Sequence, residues 1–107
     1  MEASTFPSGT AMYVMIRRYR LAGSSQELLR RIKEEFVPII TSLPGFKAYH
    51  VVDCGGLEAM SISFWETKVA ARQSTDEAQK WISRSALGLI PFPPEKLEGD
   101  TLLDIIE

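Results

Sequence analysis

The sequence has one cysteine, one histidine and no long apolar run, and each of these shortages excludes a class of site. A single thiol, Cys54, forbids an internal disulfide and any cysteine-cluster metal site. It lies beside Gly55-Gly56 in a predicted turn, where a free thiol is usually incidental. No apolar stretch approaches the roughly 20 residues that a membrane-spanning helix needs. Residues 1–11 lack the basic and apolar regions of a secretory signal, so we expect a cytoplasmic chain without a metal or membrane partner.

The sequence also has little excess charge, with a formal net charge of −2 over 107 residues. Bulk electrostatics therefore does not favour a nucleic-acid partner. The one basic cluster is Arg17-Arg18-Tyr19-Arg20, and neighbouring side chains on a strand point to opposite faces, so no continuous phosphate track is expected. A hydrophobic content of 45% at this length predicts one globular domain, residues 11–107, after a loose arm at residues 1–10.

Apolar periodicity predicts four strands and two helices in the order β-α-β-β-α-β. We expect the strands at residues 11–20, 46–53, 57–65 and 100–106, and the helices at residues 24–43 and 67–86. This is the ferredoxin-like α+β fold, with both helices on one face of a four-stranded antiparallel sheet. The strands are apolar on both faces, however, so the uncovered face needs a partner. We therefore expect a homodimer in which two sheets pack face to face.

Three local signals predict interruptions in this pattern. Ser24 and Glu27 match a capping box at the start of the first helix, and Pro38 should kink or divide that helix near Val37. Ser74-Thr75-Asp76-Glu77 resembles a second capping signal, which predicts a kink near residues 73–74 in the second helix. The proline-rich residues 88–99 are expected to be irregular and to form a lid or an arm that clasps a partner.

The third strand has one bulky face and one small face. Met60, Ile62 and Phe64 alternate with Ala59, Ser61, Ser63 and Trp65. The small face either packs closely against another backbone or floors a cavity that Trp65 walls. Close packing is the more common arrangement, because a tryptophan in a strand usually belongs to the core.

Several motifs spread between Met12 and Ile106 resemble a known family. They are Leu43-Pro44-Gly45-Phe46, Ser61-Ile62-Ser63-Phe64-Trp65-Glu66-Thr67, Ala70-Ala71 with Ser74, and Ala78 with Trp81-Ile82. In these motifs the chain resembles proteins of the dimeric α/β-barrel superfamily and, within that superfamily, the antibiotic biosynthesis monooxygenase-like (ABM) domains. Most of these residues are fold determinants, so the resemblance bears more on architecture than on chemistry.

The resemblance implies a function that needs no cofactor. Cofactor-free monooxygenases of this family oxidise aromatic phenols and quinols, and the deprotonated substrate itself supplies the electron to oxygen. Such a site needs an apolar pocket with a polar group that stabilises the phenolate. By analogy the pocket would lie between the sheet and the second helix, and would hold a small hydrophobic or aromatic ligand. Haem-degrading relatives use an Asn on the first strand and a His on the second helix, and this chain has neither there, so haem is not expected.

The candidate catalytic residues are Trp65 and His50. Trp65 matches a site tryptophan of several relatives at the strand-to-helix junction. His50 has an imidazole whose intrinsic pKa suits a general base, although a lone strand histidine is more often structural or exposed.

The candidate substrate-binding residues are polar or aromatic. Ser61 and Ser63 would floor the cavity. Arg17 or Arg84 could hold an anionic oxygen, although surface solvation or an ion pair in the dimer is the more ordinary role. Tyr49, like Tyr13 and Tyr19, could line the pocket or fill the sheet-to-sheet interface, and we expect at least one of these tyrosines in the interface.

Three functions follow from these candidates. The first is a cofactor-free monooxygenase that acts on an aromatic compound. The second is a non-catalytic dimeric module for ligand binding or assembly, since the family's polar residues are missing and no acid-base pair is evident. The third is a non-redox enzyme of the same barrel, such as an isomerase or a lyase, that uses His50.

Overall fold

A computed structural model describes residues 12–105, which form one antiparallel sheet and a layer of helices. The elements are β1 Tyr13–Arg20, α1 Ser25–Arg31, a π-helical turn Ile32–Phe36, α2 Val37–Ser42, β2 Phe46–Gly55, β3 Glu58–Trp65, α3 Lys68–Trp81, a second π-helical turn Ile82–Ala86, and β4 Glu95–Asp100. The four strands lie in the order β2-β3-β1-β4. This confirms the predicted ferredoxin-like fold. The predicted arm at residues 1–10 lies outside the described residues.

The helices cover one face of the sheet, which we call the inner face. It is formed on the central strands by Tyr13, Met15, Arg17 and Tyr19 of β1 and by Ala59, Ser61, Ser63 and Trp65 of β3. The outer face is only partly covered; its apolar residues are Val14, Ile16, Ala48, Val52, Met60, Ile62, Phe64 and Leu97. Apolar side chains on both faces therefore agree with the sequence pattern.

The small side chains of β3 face a surface of α3 that also consists of small side chains. Ala71 and Ser74 have no exposed surface, and Ala70 and Ala78 are also buried. Small residues on both elements let a helix approach a sheet closely, which increases dispersion contacts. Close packing is therefore the observed arrangement at this end of β3, where Trp65 is fully buried.

The first helical segment begins and divides as the sequence predicts. The Ser24 hydroxyl accepts hydrogen bonds from the backbone N–H groups of Gln26 and Glu27, so Ser24 is the N-cap. Glu27 does not reach back as a capping box would; its carboxylate binds Arg30 and Arg31 instead. The helix changes to a π-helical turn before Val37, and Pro38 lies at the start of α2.

The kink predicted near residues 73–74 is wrong, because α3 runs without a break from Lys68 to Trp81. The Ser74 hydroxyl donates to the Ala71 carbonyl oxygen at 2.6 Å, and this bond within the helix satisfies the side chain without a new cap. The N-cap is Thr67, whose hydroxyl accepts from the Ala70 N–H. No helix among residues 12–105 is long and apolar enough to cross a bilayer.

The fourth strand is β4, Glu95–Asp100, and the prediction of a strand at residues 100–106 is wrong. The prediction that residues 88–99 are irregular holds only up to Pro94. Leu97 pairs with Ile16 and Glu98 with Met15, so the polar segment is an edge strand beside β1. Edge strands tolerate charged side chains because most of their surface faces solvent, and the apolar alternation that marks a buried strand is missing here.

The hairpin between β2 and β3 has two loop residues, Gly56 and Leu57. Both have positive φ, at 58° for Gly56 and 64° for Leu57. This left-handed backbone is typical of a two-residue type I′ hairpin and suits glycine far better than leucine. The Leu57 side chain is 61% exposed, so it gains little burial in compensation.

Replacing Leu57 with glycine should therefore stabilise the fold. We expect Leu57→Gly to raise the free energy of unfolding by about 1 kcal/mol relative to Leu57→Ala, which keeps the side-chain clash of the left-handed conformation. Urea denaturation followed by circular dichroism measures both variants. Equal stability of the two variants would show that the backbone at Leu57 carries no such cost.

Candidate functional site

A pocket lies between the inner face of the sheet and the helices. Only about 20 Å³ inside it is free for a water-sized sphere, room for about one water molecule, and the pocket is partly open to solvent. Apolar side chains from α1, the two π-helical turns and α3 form most of its walls, and Tyr19, Tyr49 and Ser61 supply polar groups from the sheet. Ile90 adds one wall from the segment between α3 and β4 and is 3% exposed. The segment expected to form a lid thus contributes a wall residue.

Three aromatic rings form one side of the pocket. The Phe36 ring lies 5.3 Å from the Trp81 ring, centroid to centroid, and 5.9 Å from the Tyr49 ring, which it meets edge to face. The indole N–H of Trp81 donates to the Glu35 carboxylate at 3.2 Å, so this polar group is satisfied away from the pocket. These contacts hold the rings in place and give this side of the pocket an aromatic, apolar surface.

The polar side of the pocket leads to a buried arginine. Arg17 is 2% exposed, and its Nε donates to the Ser61 hydroxyl oxygen at 3.5 Å. Its Nη1 donates to the Thr75 hydroxyl oxygen at 3.2 Å. The Tyr19 hydroxyl lies 3.5 Å from the same Ser61 oxygen, which completes a row of polar groups from Arg17 to the pocket wall.

Tyr49 is the most strongly perturbed titratable group at the pocket. Burial raises the pKa of the Tyr49 phenol above its usual value near 10, and the neighbouring Tyr19 raises this pKa further. The Arg17 guanidinium acts in the opposite direction but does not cancel the effect of burial on the pKa. Tyr49 therefore stays protonated at any physiological pH and is neutral in the pocket.

The structure brings together three of the residues that the sequence singled out, Arg17, Ser61 and Tyr49. Ser63 lies opposite Tyr49 in the strand register and is fully buried. Trp65 is equally buried, and its ring meets that of Phe46 edge to face at 5.6 Å. Neither Ser63 nor Trp65 lines the pocket. Within residues 12–105, the Ser63 hydroxyl and the Trp65 indole N–H have no hydrogen-bond partner.

His50 and Arg84 lie elsewhere. His50 is on the outer face, exposed, with its ring 6.2 Å from that of Phe64 and nearly perpendicular to it. Arg84 is exposed on the outer surface of the second helical segment, near Asp76 and Lys80. The hypothesis of an isomerase or lyase that uses His50 therefore gains no support from the inner pocket.

Part of the site was not predicted from the sequence. Phe36 and Trp81 lie within the predicted helices, and only the ring contacts of Phe36 with Trp81 and with Tyr49 show that the three wall a pocket. Thr75 belongs to the predicted capping signal, whereas in the structure its hydroxyl accepts a hydrogen bond from Arg17. The expectation that a tyrosine lies in the sheet-to-sheet interface is wrong, because Tyr13, Tyr19 and Tyr49 all face the helices. The sequence does carry a signal for two of them. Tyr13 and Tyr19 are separated from Arg17 by an even number of positions along the strand, so all three side chains point to the same face.

Comparison with known proteins adds evidence on the fold. No protein-family model matches the sequence, and no curated protein sequence is significantly similar to it. A protein of unknown function from Nitrosomonas europaea superposes with a TM-score of 0.72 over 92% of this chain and 96% of that one, at 13% identity. A monooxygenase from Streptomyces coelicolor in complex with nanaomycin D gives 0.70 over 92% and 94% of the chains, at 17% identity. A mutant of a cofactor-independent oxygenase from Streptomyces nogalater gives 0.67 over 86% and 94%, at 13% identity.

These structures share the fold of this chain. The resemblance to the ABM domains, inferred first from sequence motifs, is therefore confirmed at the level of the fold. Identities of 13–17% establish a shared architecture alone.

The raised pKa of Tyr49 predicts a loss of stability at alkaline pH. The unfolded chain releases the phenol proton near pH 10, whereas the folded chain still holds it there. The contribution of Tyr49 to the free energy of unfolding is therefore fully present below pH 10 and is lost as the pH rises toward the pKa of the folded chain. Tyr49→Phe should make the free energy of unfolding depend less steeply on pH above 10.

Absorbance of tyrosinate in the native protein gives a second readout. The hydrogen bond to Glu98 also raises the pKa of Tyr13, so the difference spectrum between wild type and Tyr49→Phe is needed to isolate Tyr49. A difference spectrum that titrates near pH 10 in folded protein would contradict the burial argument.

Proposed function

We propose that this protein is a cofactor-free monooxygenase-like protein that acts on an aromatic phenol or quinol bound in the inner pocket. The observation that carries the proposal is a pocket walled by Phe36, Tyr49 and Trp81, in a fold shared with a monooxygenase in complex with nanaomycin D and a cofactor-independent oxygenase. The free space of about 20 Å³ is far smaller than a ligand pocket, so the walls must move apart to admit an aromatic compound.

The reaction needs no electron donor besides the substrate. When a phenol is converted to a quinone, one oxygen atom of O₂ enters the ring and the other leaves as water. The two hydrogens of that water come from the ring carbon and the phenolic hydroxyl, and all four electrons come from the substrate. The protein would hold the ring against the aromatic wall, exclude water and stabilise the ionised oxygen.

A second function is favoured by the composition of the pocket wall. Among the described residues that line it, the polar groups are hydroxyls, and there is no carboxylate or imidazole to accept the proton of a phenol. The same site could thus serve a non-catalytic module that binds a small aromatic ligand. The two functions differ in one measurable respect, which is oxygen consumption.

We also propose that the chain forms a homodimer through the outer face of the sheet. Val52 is 41% exposed and Leu97 is 55% exposed on that face. Continuous apolar surface of this kind is rarely left open to water in a soluble protein. A second copy packed sheet to sheet would bury it, and the two sheets would form the barrel that gives the superfamily its name.

Oxygen uptake with a panel of phenols and quinols tests the catalytic proposal. We expect uptake equal to quinone formed, with one atom of labelled O₂ in the product. Trp81→Phe should weaken ligand binding and reduce uptake several-fold, because Trp81 walls the pocket. Trp65→Phe is the matched comparison and tests directly whether the buried tryptophan of β3 takes part.

The outcomes separate the two functions. Binding without oxygen uptake for every compound would favour the binding module. Loss of activity in Trp65→Phe but not in Trp81→Phe would place the site at the other end of β3.

The dimer is tested by a substitution that leaves the fold of the monomer intact. Leu97→Asp puts a charge on the outer face and should shift the protein from dimer to monomer in sedimentation equilibrium. Leu87→Asp is the control, because Leu87 is equally exposed at 55% but lies beyond the helices and away from the sheet. A wild-type protein that sediments as a monomer at high concentration would contradict the proposed interface.

A further inference from the structure

Arg17 is a buried cation that has no acidic partner within the described chain. No carboxylate among residues 12–105 lies within 4.0 Å of its guanidinium nitrogens, although its residue is only 2% exposed. Its hydrogen bonds go to two neutral hydroxyls, those of Ser61 and Thr75. A guanidinium has five N–H donors, and these two bonds, at 3.5 and 3.2 Å, engage two of them. Removing such a charge from water is costly unless an anion compensates it.

The other arginines of the described chain do not share this situation. Arg18, Arg30, Arg31 and Arg72 each pair with a glutamate, and their side chains are between 33% and 57% exposed. Arg20 and Arg84 are exposed to solvent. The chain therefore supplies acidic partners for arginines that need them least and none for the buried one.

The hydrogen bonds of Arg17 also permit a row of hydroxyls that ends in a donor at the pocket. An arginine can only donate, so the Ser61 oxygen accepts from Arg17 and its own proton is free to point onward. The Tyr19 oxygen, 3.5 Å from that of Ser61, is placed to receive this proton. The Tyr19 hydroxyl, at the pocket wall, is then left with its own proton to donate. An anion in the pocket would favour this direction over the reverse, in which the Tyr19 hydroxyl donates to Ser61.

We infer that Arg17, through Ser61 and Tyr19, forms a receptor for an ionised oxygen, so that the pocket selects an anionic aromatic ligand over a neutral one of the same shape. This inference rests on the proposed function in one respect, that the inner pocket is the ligand site. The ring would lie against Phe36 and Trp81 with its charged oxygen toward Ser61. Arg17 acts here as a residue that determines specificity, since it reaches the pocket through the hydroxyls.

The ionised oxygen could belong to a carboxylate or to a phenolate, and the experiment separates them. Binding is measured by calorimetry for 1-naphthoate and for 1-naphthamide, its neutral counterpart. A second arm follows the absorbance of bound 4-nitrophenol against pH, because a site that prefers the anion lowers the pKa of the bound phenol. A preference in the naphthoate arm alone identifies a carboxylate, and a lowered pKa of the nitrophenol alone identifies a phenolate.

Substitution of Arg17 gives the central test. We expect Arg17→Met to weaken the preferred anion about tenfold to a hundredfold while the amide binds as before, and Arg17→Lys to restore part of the preference. Arg84→Met is the control, because it removes an exposed arginine away from the pocket. Met fills a similar volume without a charge, so Arg17→Met should unfold at a temperature no lower than wild type does.

Ser61→Ala and Tyr19→Phe keep the test valid if Arg17→Met does not fold. Each removes one hydroxyl of the row and should reduce the preference for the anion over the amide several-fold. Wild-type protein that binds the amide as tightly as the naphthoate, and leaves the pKa of 4-nitrophenol unchanged, would overturn the inference and leave the pocket as a ligand site. Absence of binding by every compound would overturn both this inference and the proposed function.

Discussion

The close approach of α3 to the two central strands is the contact on which the rest of the structure depends. It requires small side chains on both surfaces, and β3 supplies Ser61 and Ser63 while α3 supplies Ala71 and Ser74. A larger residue at any of these positions would force the layers apart. The pocket forms where the small side chains give way to the large rings of Phe36, Tyr49 and Trp81, which keep the sheet and the helices apart.

The architecture was predictable because hydrophobic alternation and helix capping are local signals. The sequence predicts that Ser24 caps the first helix, that Pro38 divides it and that β3 alternates between two faces, and the structure shows all three. The errors have two physical causes. Ser74 found its hydrogen-bond partner one turn back in the same helix, so a cap sequence produced no cap. β4 is an edge strand held by backbone pairing with β1, and the charged side chains of such a strand carry no apolar pattern.

The candidate site was predictable only in part, because it depends on which face of the sheet each residue occupies. Arg17, Ser61 and Tyr49 were identified as ligand-binding candidates and lie together on the inner face. His50 lies on the opposite face. The pairing of β2 is irregular between Phe46 and Ala48, which changes the residues of β2 that face inward, and no local sequence pattern shows this irregularity. The aromatic wall joins residues from α3 and the first π-helical turn to β2, and such long-range meetings leave no trace in a single sequence.

The buried guanidinium of Arg17 also links ligand supply to the survival of the protein. On the proposed assignment, the empty chain folds with an uncompensated charge, and an anion that neutralises it stabilises the native state by mass action. Proteins of marginal stability are removed by cellular proteases in proportion to the time they spend unfolded. The abundance of this protein in a cell would then rise with the concentration of its ligand, without any change in transcription.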